Sequence, residues 1–200
     1  TAGTFTATDL TVKNVTLSAT ANAGGLVDIL KAAATLTSVN VEGLTMASAS
    51  TGKGTDINLG GFFGEVNAST STVELLGCNV KTASIKGHYY MGGFIGQVTA
   101  AANVKIYGTD GAAISDKKGS TVEAITLTPI SADGTWSTYK CGTVAPFIGG
   151  IKTIATELNI YGKFDSFDRA ANMWKMNFLS NEDFKFMGTK QDDCNFIGYN

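Results

Sequence analysis

A chain of 200 residues with 44% hydrophobic side chains and only 2 prolines has the composition of folded protein, in one domain or two small ones. A net charge of −2, with Arg169 as the only arginine, leaves no basic patch for nucleic acid. No apolar run approaches the roughly 18–20 residues that a membrane-spanning helix needs.

Thr, Ala, Ser and Val dominate the first 160 residues, and the β-branched pair among them suits a pleated surface. The first predicted strands are residues 9–15 and 16–20. Behind them begins a glycine motif that recurs. Gly24-Gly25-Leu26-Val27-Asp28 is its most distant form, and Gly60-Gly61-Phe62-Phe63-Gly64 and Gly92-Gly93-Phe94-Ile95-Gly96 are near copies. Ala145-Pro146-Phe147-Ile148-Gly149 is a worn one.

A second pattern, apolar-x-apolar-x-Gly, follows each motif: Val39–Gly43, Val73–Gly77, Val104–Gly108 and Leu158–Gly162. From the last motif glycine to this second glycine the spacing is 13, 12 and 13 residues for Gly64, Gly96 and Gly149. Two patterns keeping step are the mark of a repeat. Successive motifs start 36, 32 and 53 residues apart, and the last, long interval predicts an insertion over residues 109–140, rich in Asp-Gly and Lys-Gly turn signals.

In the best-preserved repeat three strands are expected, at residues 73–76, 79–85 and 91–98, with turns at Gly77-Cys78 and Gly87-His88. Three strands per unit with no helix between them predict an all-β fold. The expected architecture is a right-handed parallel β-helix, or β-solenoid, of about four to five three-stranded coils with an irregular C-terminal cap. Phe62, Phe94 and Phe147 should stack in one interior column with Leu26 at its N-terminal end, and Val66, Val98 and Ile151 in another. Each such buried side chain contributes about 1.5–3 kcal/mol. The motif glycines then serve backbone conformations closed to other residues, or close approach between coils. A phosphate-cradling role fails, because a strand pattern and not a helix follows.

Residues 1–162 thus read as solenoid repeats and residues 163–200 as a cap or an irregular final coil. A short amphipathic helix is expected at its start, with Phe167, Ala171 and Trp174 on one face. Asn195-Phe196-Ile197-Gly198 echoes the repeat.

Gly-Gly-Phe-Ile-Gly followed by a polar gap and an apolar-x-apolar-x-Gly strand resembles the GLUG-type repeat of bacterial secreted and surface proteins, adhesins among them. Gly60–Gly64 and Gly92–Gly96 carry the first half. Cys78-Asn79 carries the family's Asn-Cys pair in reversed order. The resemblance covers about residues 20–162. It implies a β-solenoid, export to the cell surface or medium, an adhesive role and no catalytic residues. No leader segment is evident, so the expectation is a mature form or a piece of a longer chain.

Enzymes built on β-helices need clustered carboxylates with Arg or Lys partners. Here Asp28, Asp56, Glu65, Glu74, Glu123 and Glu157 are dispersed, and Glu65 shares its repeat position with Gln97. The expectation is a non-catalytic protein without cofactor or metal, which binds a glycan or an extracellular protein through an exposed face or the insertion. A polysaccharide-active enzyme and a structural spacer are the alternatives. Tyr89 and Tyr90, at a turn, and Trp136 and Tyr139, in the insertion, are the candidate binding residues. Repeat packing is the competing role for the tyrosines. His88 lacks a neighbouring nucleophile or second ligand and reads as a surface or packing residue. The Thr-x-Thr pairs at Thr4–Thr8, Thr35–Thr37 and Thr126–Thr128 read as solvent-facing strand residues, since they do not recur at one repeat position. Cys78, Cys141 and Cys194 lack metal-binding spacing and read as small buried hydrophobes, with one disulfide as the alternative.

Overall fold

The computed structural model describes residues 3–49, 57–87, 90–107, 120–129, 144–151, 158–160, 162–164, 167–169 and 197–199. They form a parallel β-solenoid. The first coil holds β1 (Thr4–Thr8), β2 (Thr11–Lys13), β3 (Thr16–Ala19), β4 (Ala23–Gly24) and β5 (Val27–Leu30). The second holds β6 (Ala33–Thr37), β7 (Asn40–Glu42), β8 (Thr45–Ser48), β9 (Leu59–Gly60) and β10 (Phe63–Val66). The third holds β11 (Thr72–Leu76), β12 (Asn79–Lys81), β13 (Ser84–Gly87), β14 (Met91–Gly92) and β15 (Ile95–Val98). The fourth holds β16 (Asn103–Tyr107), β17 (Ser120–Glu123), β18 (Ile125–Pro129), β19 (Val144–Ala145) and β20 (Ile148–Ile151). β21 (Leu158–Ile160), β22 (Gly162–Phe164), β23 (Phe167–Arg169) and β24 (Ile197–Tyr199) add a fifth layer.

Equivalent strands stack in parallel into five sheets. Sheet A is β1-β6-β11-β16-β21, sheet B β2-β7-β12-β17-β22 and sheet C β3-β8-β13-β18-β23. Sheet D is β4-β9-β14-β19 and sheet E β5-β10-β15-β20-β24. Among the described residues there is no helix. Phe167–Arg169, where a helix was expected to begin, pairs instead with Ile125–Leu127 in sheet C. Ala171 and Trp174 lie outside the described residues.

Each coil has five strands rather than three because two of the expected strands bend. Asn79–Ile85 breaks at Thr82, which sits in the left-handed region at φ 53°. Met91–Val98 breaks at Gly93-Phe94. The Thr82 corner is one of a column: Asn14, Gly43, Thr82 and Ala124 all have positive φ between sheets B and C. Asp9, Ser38 and Gly77 form the matching column between sheets A and B. Each corner residue of the first three coils donates its N–H to the coil ahead, as Gly77 does to the Tyr107 carbonyl at 2.8 Å and Thr82 to the Glu123 carbonyl at 2.9 Å. These bonds hold Asp9, Asn14, Ser38 and Thr82 in a conformation that costs L-residues about 1–2 kcal/mol.

The expected columns are present. Phe62, Phe94 and Phe147 stack with ring centroids 4.8 and 5.1 Å apart, and all three are fully buried. Leu26 extends the column by bonding its N–H to the Phe62 carbonyl. Val66, Val98 and Ile151 share one register position, with Leu30 before them. Ile197 falls in register with Ile148, so the C-terminal echo of the motif adds a strand to sheet E. One register differs from expectation. The partners of Val73–Leu76 are Ala34–Thr37 in sheet A, whereas Asn40–Glu42 pairs with Asn79–Lys81 in sheet B. Val39–Gly43 carries the right pattern but sits one strand further along the coil.

The motif glycines serve close approach and not unusual dihedrals, since none of them has a positive φ. A Cβ on Gly61 would collide with the Gly93 carbonyl, and one on Gly93 with the Pro146 carbonyl. The worn copy Ala145-Pro146 lies in β19 and the bend after it, the last described layer of sheet D. At this position the preceding copies, Gly61 and Gly93, donate their N–H groups to the coil ahead. Proline, which has no N–H, is suited to an edge of this kind.

Candidate functional site

In a solenoid the interior is consumed by packing, so chemistry available to a partner lies on the outward columns. On sheet A, Val73 and Leu75 point inward and Glu74 outward, as alternation requires. Glu74 and Lys105 are register partners and form an ion pair at 3.5 Å. On sheet B the outward column Lys13, Glu42, Lys81, Glu123 alternates in sign, with ion pairs of 2.9 Å for Lys13–Glu42 and 3.4 Å for Lys81–Glu123.

The neighbouring column of sheet B is an amide ladder. Asn79 Nδ2 donates to Asn40 Oδ1 at 2.7 Å, and Thr121 Oγ1 donates to Asn79 Oδ1. The three ion pairs and the amide ladder thus join adjacent coils. The ladder went unread in the sequence, although Val39-Asn40, Cys78-Asn79 and Ser120-Thr121 all begin a strand with a buried small residue followed by a hydrogen-bonding one.

Sheet C differs. Its outward residues are Thr16 and Ser18, Thr45 and Ala47, Ser84 and Lys86, then Thr126 and Thr128. Thr16, Thr45, Ser84 and Thr126 occupy one register column without a shift across four coils. Thr16, Thr45 and Ser84 are exposed and Thr126 is half-buried. Among the described residues these four hydroxyls have no side-chain hydrogen bond within the chain.

The recurrence of threonine pairs is broader than the sequence indicated. Thr6 and Thr8 pair directly with Thr35 and Thr37 on sheet A. That array ends at Glu74 and Leu76 in the third coil. No glycine motif precedes the first coil, so spacing from motif to motif could not reveal this register.

A polar seam joins sheets D and E. The Glu65 carboxylate accepts hydrogen bonds from Asn22 Nδ2, from Asn67 Nδ2 at 3.3 Å and from Thr99 Oγ1. Glu65 and Gln97 are register partners, as expected. Buried Asn58 donates through Nδ2 to Gln97 Oε1 at 3.2 Å and through its backbone N–H to Asn22 Oδ1 at 2.8 Å. In two of these contacts, Asn22–Glu65 and Asn58–Gln97, a residue just before a sheet D strand meets the sheet E strand of the coil ahead.

Tyr90 is the third member of this series. It is only 4% exposed, and its ring covers Gly150, where a Cβ would collide with it. Its place is thus in packing and not on an open aromatic platform, a correction to its candidacy as a binding residue. Tyr107 lies on sheet A, at the end of β16, and does not extend such a surface. Tyr89, Trp136, Tyr139 and His88 lie outside the described residues.

Cys78 is fully buried, with its thiol near the carbonyls of Leu36 (3.4 Å) and Leu76 (3.6 Å). Burial pushes its pKa from 9.0 up to about 11, with backbone hydrogen bonds opposing the shift. It is a neutral thiol in a column shared with Val39 and Ser120. Ser120 is also buried, and its hydroxyl donates to the Tyr107 carbonyl at 2.8 Å. Cys141 and Cys194 lie outside the described residues. Among the described residues no group of three His, Cys, Asp or Glu side chains converges to hold a metal ion, and no helix is long and apolar enough to cross a membrane. Compared with known protein families, curated proteins and solved structures, the chain finds no match.

Proposed function

We propose that this chain is a non-catalytic, adhesin-like binding module of a bacterial cell surface or its surroundings, which recognises a glycan or an extracellular protein through an outward face of the solenoid. The observation that carries the reading is the contrast between faces. Sheet B and the Glu74–Lys105 pair of sheet A direct their outward bonding to neighbouring coils, and the threonine array of sheet A stops after two coils, while sheet C presents, among the described residues, a straight four-coil column of unengaged hydroxyls on a parallel sheet. Hydroxyls are both donors and acceptors, and a rigid array of them is suited to recognition without covalent chemistry. The GLUG-like glycine motif adds support for export and a surface role. Trp136 and Tyr139, in the insertion expected over residues 109–140, remain candidates for the same role, although residues 120–129 of that range run as β17 and β18 of the fourth coil.

Two described acids also favour binding over catalysis. Glu65 is held by three hydrogen-bond donors, and Glu74 by Lys105. A purely structural spacer is the second reading, favoured by the self-neutralising ladder of sheet B. The test is binding of the purified chain to a glycan array and to immobilised host matrix proteins. Saturable binding to either supports the module, and binding to neither leaves the spacer.

A further inference from the structure

We infer that the outward face of sheet C is a docking track for an uncharged, β-linked polysaccharide chain lying along the solenoid axis, with Thr16, Thr45, Ser84 and Thr126 supplying one hydroxyl per coil. This rests on the proposed binding role and narrows it to one face and one ligand class.

Three observations converge. The first is geometric. Parallel strands stack about 4.8 Å apart, so four register-matched hydroxyls form a row of about 14 Å. The step is close to the advance of one pyranose ring along an extended β-linked chain. Sheet A offers only two-coil rows, which end at Glu74 and Leu76, and the polar column of sheet B is bonded from coil to coil.

The second is the hydrogen-bonding state. A ligand gains little from groups that already bond one another, as Asn40, Asn79 and Thr121 do. Among the described residues the sheet C hydroxyls have no side-chain hydrogen bond, and they are held on strands whose register does not slip.

The third is charge. Across the first four coils the two outward columns of sheet C contain no acid and a single base, Lys86. A neutral polyol is therefore favoured over a uronate, a sulfated glycan or a charged peptide. In the fifth layer Asp168 takes the register position of Thr126, which ends the row at four. Ala47 and Lys86 interrupt the second column, so the face is a single-file track and not the two-column threonine lattice that would match an ice surface.

The test is isothermal titration of the whole chain with β-1,4-linked glucose, mannose and xylose oligomers, from dimer to hexamer, with oligoalginate as the acidic comparator. At least one neutral series should bind with affinity that rises to the tetramer and then levels off. Thr45→Val combined with Ser84→Ala should weaken it about tenfold. Thr6→Val with Thr35→Val on sheet A should leave it unchanged. Ser84→Glu, which puts a charge in mid-row, should produce the same loss independently. Neutral oligomers that bind equally well to both sheet C variants would overturn the track and leave a glycan-binding role on another face. Preference for alginate would overturn the ligand class. Matrix-protein binding without any neutral-glycan binding would overturn this inference while leaving the adhesin-like role, and binding to neither would remove both. Inhibition of ice recrystallisation without glycan binding would also overturn it.

Discussion

Replacing Gly93 with alanine adds one methyl group at the point where two coils come closest. The new Cβ would fall on the Pro146 carbonyl oxygen, with both Val122 methyls 3.1 Å away. Neither neighbour can yield cheaply, since one is backbone and the other is a fully buried side chain in sheet B. Forcing a methylene into a packed interior costs about 1–3 kcal/mol. Displacing the fourth coil also strains the bonds from Gly93 N–H to the Ala145 carbonyl (3.3 Å) and from Phe94 N–H to the Phe147 carbonyl (2.9 Å), each contributing about 0.5–1.5 kcal/mol. The total expected is about 3 kcal/mol, or a fall of about 6–12 °C in Tm for a chain of this size. Urea and thermal unfolding followed by circular dichroism would measure it. Gly3→Ala, where a Cβ meets nothing within 4 Å, is the matched control. A Gly93→Ala protein within about 0.5 kcal/mol of the parent would refute close approach as the reason for the motif glycines.

Further outcomes follow from the same geometry. At Gly77 the φ of 60° lies in the left-handed region, so Gly77→Ala should cost about 1 kcal/mol or more and Gly77→Asn less, by urea unfolding. Phe94→Ala removes the middle ring of the aromatic column and should cost about 3–5 kcal/mol, while Phe94→Leu should cost clearly less. Cys78 has its pKa raised on folding, so its contribution is complete below pH 9 and is lost as pH rises towards 11. A stability profile of the parent minus that of Cys78→Val should therefore slope downward only in that window, by about 2–3 kcal/mol in all. A flat difference would contradict the buried neutral thiol. Lys81→Ala with Glu123→Ala should change stability by less than about 1 kcal/mol in low salt, because both partners are well exposed.

What was legible in the sequence is what the stacked interior repeats. Phe62, Phe94 and Phe147 must be large and apolar because each packs on the next, and the glycines beside them must be small because a carbonyl of the next coil takes the Cβ position. Those demands recur at each layer, so they show as spacing. The corners were not legible. Thr82 and Ala124 adopt left-handed geometry without a Gly or Pro to announce it, and Thr82 is held there by the neighbouring coil. Hence five strands per coil read as three.

The Val39–Gly43 misregister has a related cause. Inward-outward alternation is the same on every sheet, so a strand of sheet B can imitate one of sheet A. Tyr90 illustrates the limit for sites. Its neighbour Gly150 lies far away in sequence, and only the stacking shows that a residue without a side chain receives the ring. The hydroxyl column of sheet C escaped because its spacing to the motif varies: Thr16 and Ser84 lie 8 residues before Gly24 and Gly92, but Thr45 lies 15 before Gly60.

The solenoid and its hydroxyl track depend on the coil-to-coil register, and cross-linking of paired cysteines on sheet C tests that register most directly. In a background with Cys78, Cys141 and Cys194 replaced by serine, Thr45→Cys with Ser84→Cys places two thiols on register partners of adjacent parallel strands. Their Cα atoms would be about 4.8 Å apart, within the range a disulfide spans. Thr45→Cys with Lys86→Cys, offset by two residues along the strand, exceeds it. Rapid intramolecular oxidation of the first pair and not the second is the predicted result. Equal rates, or faster oxidation of the offset pair, would contradict the register and with it the hydroxyl track.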